Sequence, residues 1–181
     1  MTQSAIATNG SSVAASSPRE LLFPDLDDEL ATTRRMLERV PDGNEDWRPH
    51  EKSMTLGHLA GHLSQLPGFG SLMIAQDVFH GTGAPVPPSA TTAERLQTFD
   101  AEAAKFRTLV NGLTWEDADK TWKFMIGDRV GFEGKRARLL RVAALTHMAH
   151  HRAQLGVYLR VLNVPIPGSY GPSADEGSTP R

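Results

Sequence analysis

The chain has 181 residues, a formal charge of −2 and no cysteine. That length suits one domain with a tail or two and a buried core of its own. Disulfides, thiolate ligands and a cysteine nucleophile are excluded, and no basic tract is dense enough to follow a phosphate backbone, so nucleic acid is not an expected partner.

The first seventeen residues, MTQSAIATNGSSVAASS, are small and polar and lack the basic and apolar regions of a secretory signal. They read as a disordered extension (1–17) ahead of a domain over 18–165 and an extended tail over 166–181. No later apolar run approaches membrane-spanning length, and a cytoplasmic protein with no membrane partner is expected. Pro24 opens the first predicted helix, whose stripe Leu26, Leu30, Thr33, Leu37, Val40 stops before Pro41. The polar connection NEDWRPHEKSM leads to the second, from Thr55 to about Phe79, in which Pro67 and Gly68 predict a kink or local break. Residues 80–89, HGTGAPVPPS, form a loop. Thr91 or Thr92 then caps the third helix, whose stripe is Leu96, Phe99, Ala103, Phe106, Val110 and whose end is near Asn111 and Gly112. A short helical turn in TWEDADKTW follows, and Lys123 to Lys135 reads as an irregular hairpin or extended crossover around Gly127 and Asp128. The fourth helix spans Arg138 to Leu162, and prolines carry the chain into its tail. Four amphipathic helices, no solenoid repeat and no Gly-rich phosphate loop predict an all-α four-helix bundle with a long crossover between helices three and four.

On the fourth helix Leu140, Ala144, His147, His151, Leu155, Tyr158 and Leu162 recur every three or four residues, which is one face of an α-helix. His147 and His151 therefore share a face, and His62 sits on the inward run Leu59, His62, Leu66, Phe69, Met73 of the second helix. Three neutral imidazoles that leave one position open are the ligand set of a catalytic rather than a structural zinc site. The bland alternative asks for three buried imidazoles, each hydrogen-bonded separately. His58 falls at the margin of its stripe and is expected partly exposed; His150 points elsewhere or supports a ligand; His50 and His80 are in solvated loops. Met148 and Ala149 stand where a metalloprotease HExxH would carry its glutamate, and the interior stripes lack the carboxylates of a di-iron site, so a mononuclear centre is favoured. Zinc, nickel, iron and copper all suit such donors. Arg152 and Gln154 lie off the central stripe and are read as surface or packing residues, Tyr158 as core packing, and Glu51 as a candidate base or acceptor for an imidazole N–H.

The segments PHEKSMTLGHLAGHL, HMAHHRAQLGVYLR and VPIPGSYGPSADE resemble the DinB-like family of four-helix-bundle metalloenzymes, over residues 20–176. The resemblance implies one divalent metal on His62, His147 and His151, with His62 selected over His58 by its distance from Thr55-Leu56-Gly57. It also implies transferases and isomerases that use a low-molecular-weight thiol as thiolate, or metal-dependent hydrolases, and a homodimer. Ala153 replaces the more frequent glycine of HHRGQ, which a helix tolerates. The expected function is a mononuclear metal-dependent enzyme that activates a thiol or water for transfer or hydrolysis on a small electrophilic substrate. Its rivals are a non-catalytic metal-binding or dimeric helical scaffold or stress-response protein, and a helical domain without metal.

Overall fold

The computed structural model describes residues 16–81 and 91–177. Most of the predicted N-terminal extension and most of the loop at 80–89 lie outside the described residues.

Ser17 and Glu20 form a capping box at the start of α1 (Pro18–Leu22). In α2 (Leu26–Leu37) the predicted stripe residues Leu26, Leu30, Thr33 and Leu37 are all buried. The side chain of Thr55 caps α3 (Leu56–Ala75), which runs without a break through Pro67. The missing proline N–H leaves the Leu63 carbonyl without its usual donor. Nearby, the hydroxyls of Ser64 and Ser71 donate to the carbonyls of Gly61 and Pro67 at 2.7 and 3.2 Å. The end of the second predicted helix is instead β1 (Val78–Gly81). α4 (Thr92–Asn111) begins on a Thr91–Glu94 capping box and ends at Gly112, as the sequence predicts. After α5 (Trp115–Asp119), strands β2 (Thr121–Ile126) and β3 (Arg129–Lys135) make the expected hairpin, turning at Gly127 with φ +57°, a left-handed conformation that favours glycine. The fourth predicted helix comprises α6 (Arg136–Leu140), a π-helical turn (Arg141–Thr146) and α7 (His147–Val161).

The bundle is therefore not strictly all-α. β1 pairs parallel to β2 and β2 antiparallel to β3. Their β-branched and aromatic side chains suit a pleated surface, and the fully buried Trp122 anchors the sheet to the bundle. Helix direction follows from a few close contacts. Both α3 and α4 begin beside Glu45: its side chain and carbonyl crowd Gly57, and its carboxylate lies 3.5 Å from Arg95. Further along, Gly68 faces Glu102 and Gly70 faces Phe106, so α3 and α4 run in parallel. The return crossover thus lies between the second and third long helices, and the hairpin occupies the link between the third and fourth. α7 runs antiparallel to α3, with Tyr158 donating its hydroxyl proton to the Met54 carbonyl at 3.2 Å.

The core is centred on Leu26, Leu59, Leu63, Phe99, Phe106, Leu140, Leu155 and Leu159. Beyond α7 the described part of the tail, to residue 177, lacks regular structure yet is tied down. Asp175 pairs with Arg160 at 2.6 Å, Ser173 donates to the Ile166 carbonyl at 2.6 Å, and Arg35 reaches the Gly168 carbonyl at 3.3 Å. Among the described residues no helix is long and apolar enough to cross a membrane.

Candidate metal centre

His62 projects from α3 toward the first two turns of α7, where His147 and His151 share a face. The three rings pack together, with centroids 5.2 Å apart for His62 and His147, 4.8 Å for His62 and His151, and 4.6 Å for His147 and His151. One nitrogen from each lies within 4.8 Å of the others, and among the described residues this is the one group of three or more such side chains close enough to hold an ion.

The π-helical turn sets the first of the two α7 histidines. The backbone N–H of His147 bonds to Val142 and Ala144. The Ala143 carbonyl, its α-helical acceptor, instead lies 3.3 Å from His147 Nδ1. His151 Nδ1 lies 2.7 Å from Oε1 of Gln154. Both partners are oxygens that only accept, which favours the tautomer with the proton on each Nδ1 and a lone pair on each Nε2. Those two Nε2 atoms face each other at 2.8 Å. Two lone pairs at that distance repel unless a positive charge lies between them, and the third imidazole closes on the same point. Such a donor set fits a divalent cation.

Burial keeps the rings in the ligating, neutral form. It is the main cause that pushes His62 down to about 4, with His151, His147 and His58 adding repulsion. Burial likewise lowers His147 and His151 from the ordinary histidine range.

Beside the histidines opens a cleft of about 1380 Å³. His58, His62, His147 and His150 share its lining with a wall of aromatic rings. That wall crosses three strands in register, Phe79 opposite Phe124 and Phe124 opposite Phe132. Phe124 and Phe132 stack at 5.1 Å, and Phe69 of α3 meets Phe79 edge-on at 5.8 Å.

The structure brings together all three predicted ligands. His58 is half-buried at the stripe margin, as expected, and His150 is exposed in the cleft with its ring 4.9 Å from that of His151. His50 and His80 are exposed away from the cluster, and so is Glu51, which contributes nothing to it. Gln154 is not merely a surface residue, since it holds the His151 ring; a hydrogen-bonding side chain one turn after a ligand was the available signal. Arg152 is buried on the opposite side of α7, against α2. The aromatic wall and the Ala143 contact escaped the sequence reading, because neither the pairing of three strands nor a π-helical turn has a local residue signature.

The DinB family model matches residues 16–181. The uncharacterized protein YrdA of Bacillus subtilis (strain 168) is 25% identical over 150 residues, which cover 82% of this chain and 85% of that protein. Among solved structures, a DinB-like protein from Bacillus cereus ATCC 10987 superposes with a TM-score of 0.64 at 19% identity, covering 83% of this chain and 97% of its own. The DinB-like protein YjoA from Bacillus subtilis gives 0.62 at 19% identity, with 82% and 96% covered. YfiT from Bacillus subtilis, described as a probable metal-dependent hydrolase with an unusual four-helix bundle topology, gives 0.60 at 14% identity, with 90% and 93% covered. At these identities the structural likenesses establish the fold.

Proposed function

The chain belongs to the DinB family, and from that premise we propose that His62, His147 and His151 hold one divalent metal ion in an enzyme acting on a small electrophilic substrate. The observation that carries this reading is the convergence of three imidazoles, with the two Nε2 lone pairs of α7 turned inward, on the wall of a large cleft. When bound, a zinc, nickel or iron ion supplies Lewis acidity and lowers the pKa of a water or low-molecular-weight thiol in its open position, for hydrolysis or transfer. Gln154 and the Ala143 carbonyl keep the rings aimed. Burial keeps them neutral at pH 7. The aromatic wall gives a substrate an apolar surface and excludes water around the reacting group. His58 and His150 add two more imidazoles to the lining, in reach of a substrate.

A purely structural site would complete its coordination with a fourth protein ligand. Among the described residues no further His, Asp or Glu joins the three histidines, which favours the catalytic reading over a metal-holding scaffold.

Elemental analysis of native-purified protein beside His62→Ala, His147→Ala and His151→Ala tests the proposal. About one metal per chain in the wild type and its loss in each variant are expected, with activity on panels of hydrolysable and thiol-acceptor electrophiles vanishing in parallel. Wild-type protein that takes up no metal even on reconstitution would rule out the metal site. Metal bound with no turnover on either panel would favour the scaffold.

A further inference from the structure

Away from the histidines the cleft carries two cations. Lys105 of α4 and Arg138 of α6 both line it and both are exposed. Among the described residues neither has a salt-bridge partner, and the residues outside that set contain no Asp or Glu. Their positions along the bundle agree. Arg138 precedes His147 by nine residues, at most about 13 Å of helix axis because the intervening π-helical turn rises less per residue. On the other side Glu102 packs against Gly68 in the parallel pair α3 and α4, and Lys105 follows one turn later. That places Lys105 also about 13 Å beyond the level of His62. Two unpaired cations thus lie at a similar level along the bundle, displaced from the histidines, and the rings of Phe69, Phe79, Phe124 and Phe132 line the same cleft. Glu102 is the one carboxylate in the lining and leaves a net positive end.

We propose that the substrate is an elongated organic anion. A carboxylate or similar group is held by Lys105 and Arg138, an apolar or aromatic body lies along the phenylalanine wall, and the reacting centre sits at the histidine end. This assignment rests on the metal-site reading for the identity of the reactive end, but the anion end and the apolar wall are tested without it.

The test uses displacement of the neutral fluorophore N-phenyl-1-naphthylamine from full-length protein. Sodium dodecanoate and 1-dodecanol, matched in chain and differing in charge, are the competitors, each with and without chelator. Dodecanoate is expected to displace the fluorophore at about tenfold lower concentration than dodecanol, the worth of one charge-assisted contact. In the double variant Lys105→Gln, Arg138→Gln the two competitors should converge, with fluorophore affinity and metal content unchanged. Phe132→Ser should weaken the fluorophore and both competitors together. Equal displacement by acid and alcohol in the wild type would overturn the proposal, as would a preference that survives the double variant. A preference present only in metal-loaded protein would overturn it too, because the carboxylate would then be reading the metal. His62→Ala separates the two readings: loss of metal with the acid preference intact leaves the anion assignment standing on its own.

Discussion

His62 is pushed down to about 4, chiefly by burial, while the unfolded chain titrates near the ordinary value of about 6.5. Between those values the unfolded state binds more protons, so stability rises with pH there. Chelator-treated protein should therefore lose thermal stability as the pH falls from about 6.5 toward 4, with the lowered His147 and His151 contributing in the same direction. His62→Gln should flatten the curve, and melting temperatures at a series of pH values would show it; an unchanged slope would mean that other groups govern acid sensitivity. Arg152 makes a different prediction. It is 1% exposed, with Nη1 2.7 Å from a carboxylate oxygen of Glu29 and 3.0 Å from Thr33 Oγ1, and its guanidinium lies 5.1 Å from the Tyr170 ring centroid. Arg152→Ala strands the buried Glu29 and should cost about 3–5 kcal/mol in denaturant unfolding. Glu29→Gln combined with Arg152→Met should recover much of that, and metal content should not change in either. The sequence showed that Arg152 is off the histidine stripe; it could not show that α2 brings Glu29 and Thr33 to meet it, because that partnership spans most of the chain.

Two glycines mark how closely the helices approach. A Cβ at Gly70 of α3 would come within 2.6 Å of the buried Phe106 ring of α4. Gly70→Ala should thus destabilise by about 1–3 kcal/mol through overpacking, against a helix-propensity gain of about 1 kcal/mol. At Gly156 of α7 the nearest atom to such a Cβ is Met36 Cε at 3.6 Å, an ordinary contact. The same substitution there should be neutral or stabilising by up to about 1 kcal/mol. Urea unfolding of both variants checks the contrast, and equal effects would mean that the α3–α4 contact is looser than its geometry. Legibility varied from element to element. α4 was readable from end to end because a capping box, an unbroken stripe and a terminal glycine agree. β1 was not, since Val78 and Phe79 follow the apolar run 72–75 after only two polar residues and become a strand only by pairing with β2. The extra residue of the π-helical turn left the spacing of Leu140, Ala144, His147 and His151 plausible for plain α-helix, so the phase change stayed hidden.

For the molecule as a whole, the ion proposed at the histidines would tie α3 to α7 across the bundle. Saturation at about a hundred times its dissociation constant should add about 2.7 kcal/mol to unfolding, removable by chelator and absent in His147→Ala. Calorimetry with and without chelator measures this, and no difference would place the ion's binding energy elsewhere. The helical bundle and the shared inward placement of His62, His147 and His151 were legible because both follow from local periodicity. Helix direction was not: parallel α3 and α4 depend on which way the chain returns, and composition does not encode that. The sheet has a separate consequence. All three proposed ligands come from α3 and α7, whereas two of the three strands in the facing wall belong to one hairpin joined to the bundle at its ends. The proposed holder and the facing wall are distinct pieces of chain, so the outward part of the hairpin beyond Trp122 can be redrawn, altering the wall of the cleft, while the three histidines stay where they are.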